Sequence, residues 1–274
     1  MLVTSVKQKR KVDPSLYTRD YFEAHCRGQD RLTDLEAGEL HEIFLRALGA
    51  AGLKGGERVA DYGCGRGELV YHSARMGCRV TGMDVSDAAL QMVRETIRSL
   101  PDEAKQRIEL KAASVEKIEL AEGAYDVIFM IDVFEHLYDE ELDILLPQFH
   151  RALKTGGRLV IQTPNLLYEN LLYPAKRVLE FPFTLLKEIG RVLRRTGKRK
   201  SARKFFTKLF KFQFHDDPIY KELHINLQTP RSLKRRLAKY GFKSRVECVD
   251  PSRNLVSLIF KRWAGRTIDA LAGK

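Results

Sequence analysis

The chain has 274 residues, of which 44% are hydrophobic, and a formal net charge of +12. This is enough apolar material for the core of one domain plus an elaboration. No apolar run approaches the roughly 18 residues of a membrane span, no apolar core follows the charged start MLVTSVKQKRKV, and the four cysteines form no CxxC pair. We therefore expect a cytoplasmic protein with neither a signal peptide nor a zinc or disulfide framework.

The positive charge is local. Residues 175–213 hold thirteen Lys or Arg against Glu180 and Glu188, a local +11, which leaves about +1 for the rest of the chain. Residues 1–54 read as an N-terminal helical cap in which Leu40, Ile43, Phe44, Ala47 and Leu48 recur at helical spacing. Short β-branched runs then alternate with amphipathic stretches, the pattern of a doubly wound, Rossmann-like sheet with helices on both faces. Strands are expected at Arg58–Tyr62, Arg79–Asp84, Ile108–Ala113, Asp126–Asp132 and Arg158–Gln162, with helices near Glu68–Met76, Ala88–Leu100 and Glu140–Leu153. Gly156 and Gly157 read as the stop of the last helix. From Asn165 to Leu223 the rhythm breaks for longer than a connecting loop allows. A helix at Thr229–Tyr240 and strands at Ser244–Val249 and Leu255–Phe260 then complete a mostly parallel, seven-stranded α/β sheet. The domain boundaries that follow are 55–167 and 224–262 for the α/β unit, 168–223 for a basic amphipathic insertion, and 263–274 for a C-terminal tail.

The strongest local signal is Val59-Ala60-Asp61-Tyr62-Gly63-Cys64-Gly65-Arg66-Gly67-Glu68, at the end of the first expected strand. Its glycines permit a tight turn and a close approach to a ligand. The spacing is GxGxG, not the GxGxxG that cradles a pyrophosphate. Asp61 would repel a phosphate but suits an ammonium group. A second acid, Asp84, ends the next strand, where a carboxylate can accept both ribose hydroxyls. The implied ligand is a nucleoside carrying a cationic amino-acid arm.

On these motifs the chain resembles the class I S-adenosylmethionine-dependent methyltransferases, from about Gly55 to Lys261, including relatives that act as ubiquinone-pathway O-methyltransferases. Tyr125–Asp132 is similar to the family's fourth strand, and Leu153–Ile161 to its glycine turn and fifth strand. The resemblance implies that Asp61, Gly63, Gly65 and Gly67 contact the methionine moiety of S-adenosylmethionine. It likewise implies that Asp84 holds the ribose, with Met83, Val85, Ser114, Val115 and Ile131 around the adenine. Ala113-Ser114-Val115 departs from the family where many relatives carry an Asp, and Ser114 is a weaker partner for adenine.

The acceptor should meet the methyl group at the carboxyl ends of the strands, where Asp132-Val133-Phe134-Glu135-His136 lies. His136, with Glu135, reads either as a general base for a hydroxyl or as a helix cap that shapes the pocket wall. D-x-x-E-H also resembles a metal motif of two class I branches, the ubiquinone-pathway enzymes and small-RNA 2′-O-methyltransferases. By that resemblance Asp132, Glu135, His136 and His224 would hold Mg2+, which is the less favoured reading. Tyr17–Phe22 resembles a cap that closes over the cofactor, or simply packs on the sheet. In the insertion, Ala202, Phe205, Phe206, Leu209 and Phe210 share one helical face, and Lys204, Lys208 and Lys211 the other. That pattern fits either a lid or peripheral contact with the inner face of a membrane. The expected acceptor is a small-molecule, lipid-linked or glycan hydroxyl. RNA ranks lower, because phenylalanines gathered on one face favour burial or lipid over stacking with bases.

Overall fold

The computed structural model describes residues 13–25, 40–173, 223–249 and 265–274. Its elements are α1 (Arg19–His25), α2 (Glu42–Ala51), β1 (Arg58–Tyr62), α3 (Glu68–Arg75), β2 (Arg79–Asp84), α4 (Asp87–Thr96), α5 (Asp102–Lys105) and β3 (Ile108–Ala112). Then follow β4 (Tyr125–Ile131), α6 (Asp139–Ala152), β5 (Leu153–Pro164), α7 (Pro230–Lys239), β6 (Lys243–Val249) and β7 (Thr267–Gly273). The seven strands pair in the order β3-β2-β1-β4-β5-β7-β6. The first five are parallel, and β7 runs antiparallel to both neighbours. The order reverses between β1 and β4, which opens a crevice at their carboxyl ends.

Each face of the sheet buries its own core. On one side Phe134, Leu142, Leu145, Leu146 and Phe149 pack with Leu233 and Leu237 of α7. On the other, Ile43 and Ala47 of α2, Val70 of α3 and Val93 of α4 cover Val59, Val127 and Phe129. Large side chains buried this completely stabilise the domain by about 1.5–3 kcal/mol each. Helix starts follow capping chemistry: Ser86 Oγ accepts from the Ala89 amide at α4, and Thr229 Oγ1 from the Ser232 amide at α7. Gly52 (φ +54°) and Gly241 (φ +85°) end α2 and the turn after α7 in the left-handed region.

Two strands differ from the sequence reading. Strand β5 starts at Leu153, so the Gly156–Gly157 pair lies inside it and does not stop a helix; Gly156 bends it at φ +77°. The expected strand at Leu255–Phe260 lies outside the described residues. The strand between β5 and β6 comes from the supposed tail: Thr267–Gly273 pairs with β5 from Pro164↔Thr267 to Arg158↔Gly273. Small residues hide this strand, since Ala270, Ala272 and Gly273 carry little β preference of their own. Burial of Ile268, Ala270 and Ala272 against the α6 side of the sheet supplies what local preference lacks. The basic stretch 175–213 also lies outside the described residues. No helix among the described residues is long and apolar enough to cross a membrane.

Candidate active site

A cavity of about 250 Å³ opens at the carboxyl ends of β1, β2 and β4. Of the expected site residues, Gly63, Gly65, Asp84, Val85, Ser114, Val115, Ile131, Glu135 and His136 line it. Asp61, Gly67 and Met83 do not. Asp61 lies behind the glycine turn and is 3% exposed. Gly67 (φ +89°) starts α3 against Val93, where a Cβ would sit 2.8 Å from a methyl. The Met83 side chain is buried in the α6-side core, because successive residues of a strand face opposite ways. What Met83 brings to the site is its carbonyl, which accepts from the amides of Gly63 (2.8 Å) and Cys64 (2.9 Å) and pins the turn to β2.

The glycine turn is shaped by close packing. Gly63 has φ +73°, and a Cβ there would fall 2.3 Å from Val133 Cγ2. Val133 reaches it because Asp132, immediately after β4, adopts the left-handed region at φ +52°. An Asp tolerates that conformation at modest cost. Asp84 is fixed by two backbone donors, Gly65 N to Oδ2 and Ser86 N to Oδ1, both at 2.9 Å. Each of its oxygens keeps a lone pair for a ligand.

This end of the cavity is acidic. Burial, with the charges of Glu68 and Asp84 nearby, pushes the Asp61 carboxyl up to about 8. Asp61 has no hydrogen-bond partner among the described residues, so a cationic donor is what it lacks. Burial also raises Asp84, against the amides of Ser86, Gly65 and Val85, which favour its charged form. Glu68 is raised by burial and held down in part by Arg66, whose Nη2 lies 2.5 Å from Glu68 Oε1.

The other end is aromatic and imidazole-rich. His136 Nδ1 lies 3.1 Å from the Leu223 carbonyl. A carbonyl can only accept, so Nδ1 carries the proton and Nε2 keeps its lone pair. The His136 ring meets His224 edge-on at 4.9 Å between centroids and Tyr17 at 5.9 Å. Burial lowers His136 to about 4, partly opposed by the charge of Asp132. Glu135 is fully buried; Thr163 Oγ1 donates to its Oε2 at 3.0 Å, and its carbonyl accepts from the Asn226 amide. Glu135, His136 and His224 offer ligand atoms within 4.8 Å of one another, whereas Asp132 is not in that group.

The N-terminal segment closes one side. Tyr17, Tyr21 and Phe22 line the cavity, Phe22 packs on Ala89 and Met92, and Ser86 Oγ donates to the Tyr17 carbonyl at 2.7 Å. The sequence reading did not single out Phe44, Arg66, Glu141 or Leu223, which also line it. Phe44 was legible only as part of a helical face and Leu223 carries no local signal, but Arg66 stood between two motif glycines and was legible there.

Comparison with known proteins agrees with this architecture. A family model described as a methyltransferase domain matches residues 33–247. An S-adenosyl-L-methionine-dependent Diels–Alderase of Talaromyces variabilis is 29% identical over 125 residues, 44% of this chain and 41% of that protein. A ubiquinone biosynthesis O-methyltransferase of Bradyrhizobium diazoefficiens is 28% identical over 139 residues, 49% of this chain and 52% of that protein. The chain thus matches about half the length of these two relatives. A crystal structure of an S-adenosylmethionine-dependent methyltransferase from Mesorhizobium loti shares the fold, with a TM-score of 0.57 at 20% identity over 85% of this chain and 99% of that one. The chain belongs to the methyltransferase-domain family and carries its class I fold, the S-adenosylmethionine-dependent one.

Proposed function

We propose that this chain is an S-adenosylmethionine-dependent methyltransferase acting on a hydroxyl of a small or lipid-linked acceptor. The observation that carries the reading is one cavity with two ends. Buried acids and a glycine turn form one, and a neutral imidazole stands at the other. The residues fit the cofactor: Asp61 is a buried carboxylate with no donor among the described residues, Asp84 presents fixed lone pairs, and the turn is too tightly packed for side chains at Gly63 and Gly67. When bound, S-adenosylmethionine supplies an electrophilic methyl group on its sulfonium.

The chain's own work is positioning. Asp61, buried behind the glycine turn, would attract the ammonium and Asp84 would hold the ribose, while Tyr17, Tyr21 and Phe22 keep water from the site. His136 Nε2 accepts the hydrogen bond of the acceptor hydroxyl and takes up its proton, which Asp132 favours electrostatically. An imidazole held near 4 is a weak base, so it suits an acidic hydroxyl such as a phenol.

A second reading has its own observation in the Glu135–His136–His224 cluster. A neutral imidazole and a buried carboxylate fit a divalent ion such as Mg2+; these three side chains would hold it, and the ion would acidify the acceptor hydroxyl. The lipid-linked acceptor is supported by Leu171 (65% exposed) and Tyr173 (38%), which follow the cavity-lining Pro164 and lead toward the basic stretch 175–213. A cytoplasmic enzyme meeting the inner membrane face is the corresponding location, and RNA is the weaker alternative partner.

The test combines calorimetry with S-adenosylhomocysteine and product mass analysis on phenols and catechols, with and without an isoprenoid tail, before and after chelation. Binding and an O-methyl product are expected. An N- or C-methyl product, or no binding by folded protein, overturns the reading. Loss of turnover on chelation and its return with Mg2+ would select the metal-assisted version.

A further inference from the structure

His136 is carried by a short 3-10 turn, Phe134–His136, between β4 and α6. Within that turn the His136 amide donates to the Val133 carbonyl at 3.0 Å and the Leu137 amide to the Phe134 carbonyl at 3.3 Å. A turn this short, with the poorer hydrogen-bond geometry of 3-10 backbone, fixes a ring weakly by itself. Further hold comes from the segment that leads into α7, far along the chain.

Asn226 grips the turn on both sides of His136. Its amide donates to the Glu135 carbonyl at 3.0 Å, and its side-chain Nδ2 donates to the Leu137 carbonyl at 2.9 Å. The same Nδ2 reaches Oδ1 of Asp139, the first residue of α6, at 3.0 Å, while Asn226 Oδ1 accepts from Gln228 Nε2. A carbonyl and a carboxylate can only accept, so the NH2 must face them, which leaves the oxygen for Gln228. Asp139 is held in turn by Arg236 of α7. With the backbone pinned before and after His136, the Leu223 carbonyl on Nδ1 sets the rotation of the ring. Asn226 itself does not line the cavity, so its effect on a ligand passes through His136. An Asp in its place would set a carboxylate against two acceptors, and an Ala would leave only the backbone contact to Glu135.

We propose that Asn226 is the positioning residue for His136: by pinning the Glu135 and Leu137 carbonyls it seats the imidazole on the Leu223 carbonyl, and so decides which ring nitrogen is left for the acceptor. The inference rests on the reading of His136 as the group that meets the acceptor hydroxyl. Its rival is a clasp between α6 and α7 that serves stability alone.

The two are separated by two-bond proton–nitrogen correlation spectra of the full, metal-free chain, in which the His136 signals are those lost in His136→Gln. Wild-type protein should show the Nδ1–H tautomer. Asn226→Ala should shift the ring toward the Nε2–H form that a free imidazole prefers, and Asn226→Gln, which keeps an amide donor, should recover part of the wild-type pattern. With catechol as acceptor and saturating S-adenosylmethionine, Asn226→Ala should lower kcat on the order of 10²-fold, the cost of a misplaced group, with affinity for S-adenosylhomocysteine nearly unchanged. Tyr240→Phe removes a contact between α6 and the far end of α7 and should change neither the tautomer nor kcat. Should Asn226→Ala not fold, Asn226→Ser replaces it, being too short to span the Leu137 carbonyl and Asp139 together. An unchanged His136 tautomer in the folded variant overturns the proposal in favour of the clasp. A wild-type His136 protonated on Nε2 removes the reading of His136 and this proposal with it. If wild-type protein leaves catechol unmethylated while the tautomers behave as expected, the acceptor reading fails alone and the positioning role of Asn226 stands.

Discussion

The acidic end of the cavity is drawn largely from one continuous stretch, Tyr62 to Val85, while the imidazole end gathers Tyr17, His136, Leu223 and His224 from three distant parts of the chain. The first is held by backbone: the Met83 carbonyl pins the turn, and the amides of Gly65 and Ser86 fix Asp84. The second is held by side-chain contacts, with His136 on the Leu223 carbonyl and edge-on to Tyr17 and His224. Backbone-built geometry tolerates change in its surroundings. Side-chain geometry depends on every partner, which is how one fold keeps its cofactor while its acceptors differ.

The largest expected effect lies at the cofactor end. Asp84→Ala removes two hydrogen bonds to a charged acceptor, each about 1.5–3 kcal/mol, and should weaken S-adenosylhomocysteine binding on the order of 10²- to 10⁴-fold. Calorimetry checks it, and unchanged affinity would remove Asp84 from the ribose. At the acceptor end, His136→Ala should lower turnover on the order of 10²-fold with cofactor affinity nearly intact. A parallel loss of affinity would show that the two ends are not separable.

Asp61 sharpens the comparison through pH. With its empty-pocket pKa near 8, the carboxyl must lose a proton before it can meet an ammonium. Affinity for S-adenosylhomocysteine should therefore rise up to about tenfold per pH unit between pH 6 and 8, then level off. Asp61→Asn should flatten this dependence. The same shift has a stability consequence whose sign is fixed. Between about pH 4 and 8 the folded, ligand-free protein holds a proton that the unfolded chain has released, so this group's contribution is lost as pH rises through that window. His136, near 4, adds no break to the turnover profile between pH 5 and 8.

The smallest expected effect is at the seam between the ends. Ser86 Oγ caps α4 and also donates to the Tyr17 carbonyl. Ser86→Ala should cost about 1 kcal/mol as a lost cap. If the cap segment matters for closure, hydrogen exchange at Thr18–Phe22 should rise while the sheet stays protected. Unchanged exchange would separate the cap from α4.

Much of the fold was legible because its signals are local. The GxGxG spacing, the acids Asp61 and Asp84, and the β-branched runs of β1, β2 and β4 follow from chain neighbours and period-two burial. The seventh strand was not: Thr267–Gly273 carries no strong pattern, and pairing with β5 and β6 decides it. Met83 shows the same limit at the scale of one side chain, where proximity to Asp84 in sequence placed it opposite the site.

By itself, the sequence determined the glycine turn, the two acids and the alternation that makes a doubly wound sheet, because each depends on residues only a few positions apart. Tertiary structure alone decided that Asp61 meets no hydrogen-bond donor among the described residues, that His136 is held neutral by burial with its proton on Nδ1, and that Arg66 is buried in an ion pair with Glu68. These are properties of desolvation and of partners tens of residues away, and the free energy of a charge is set by what surrounds it in space.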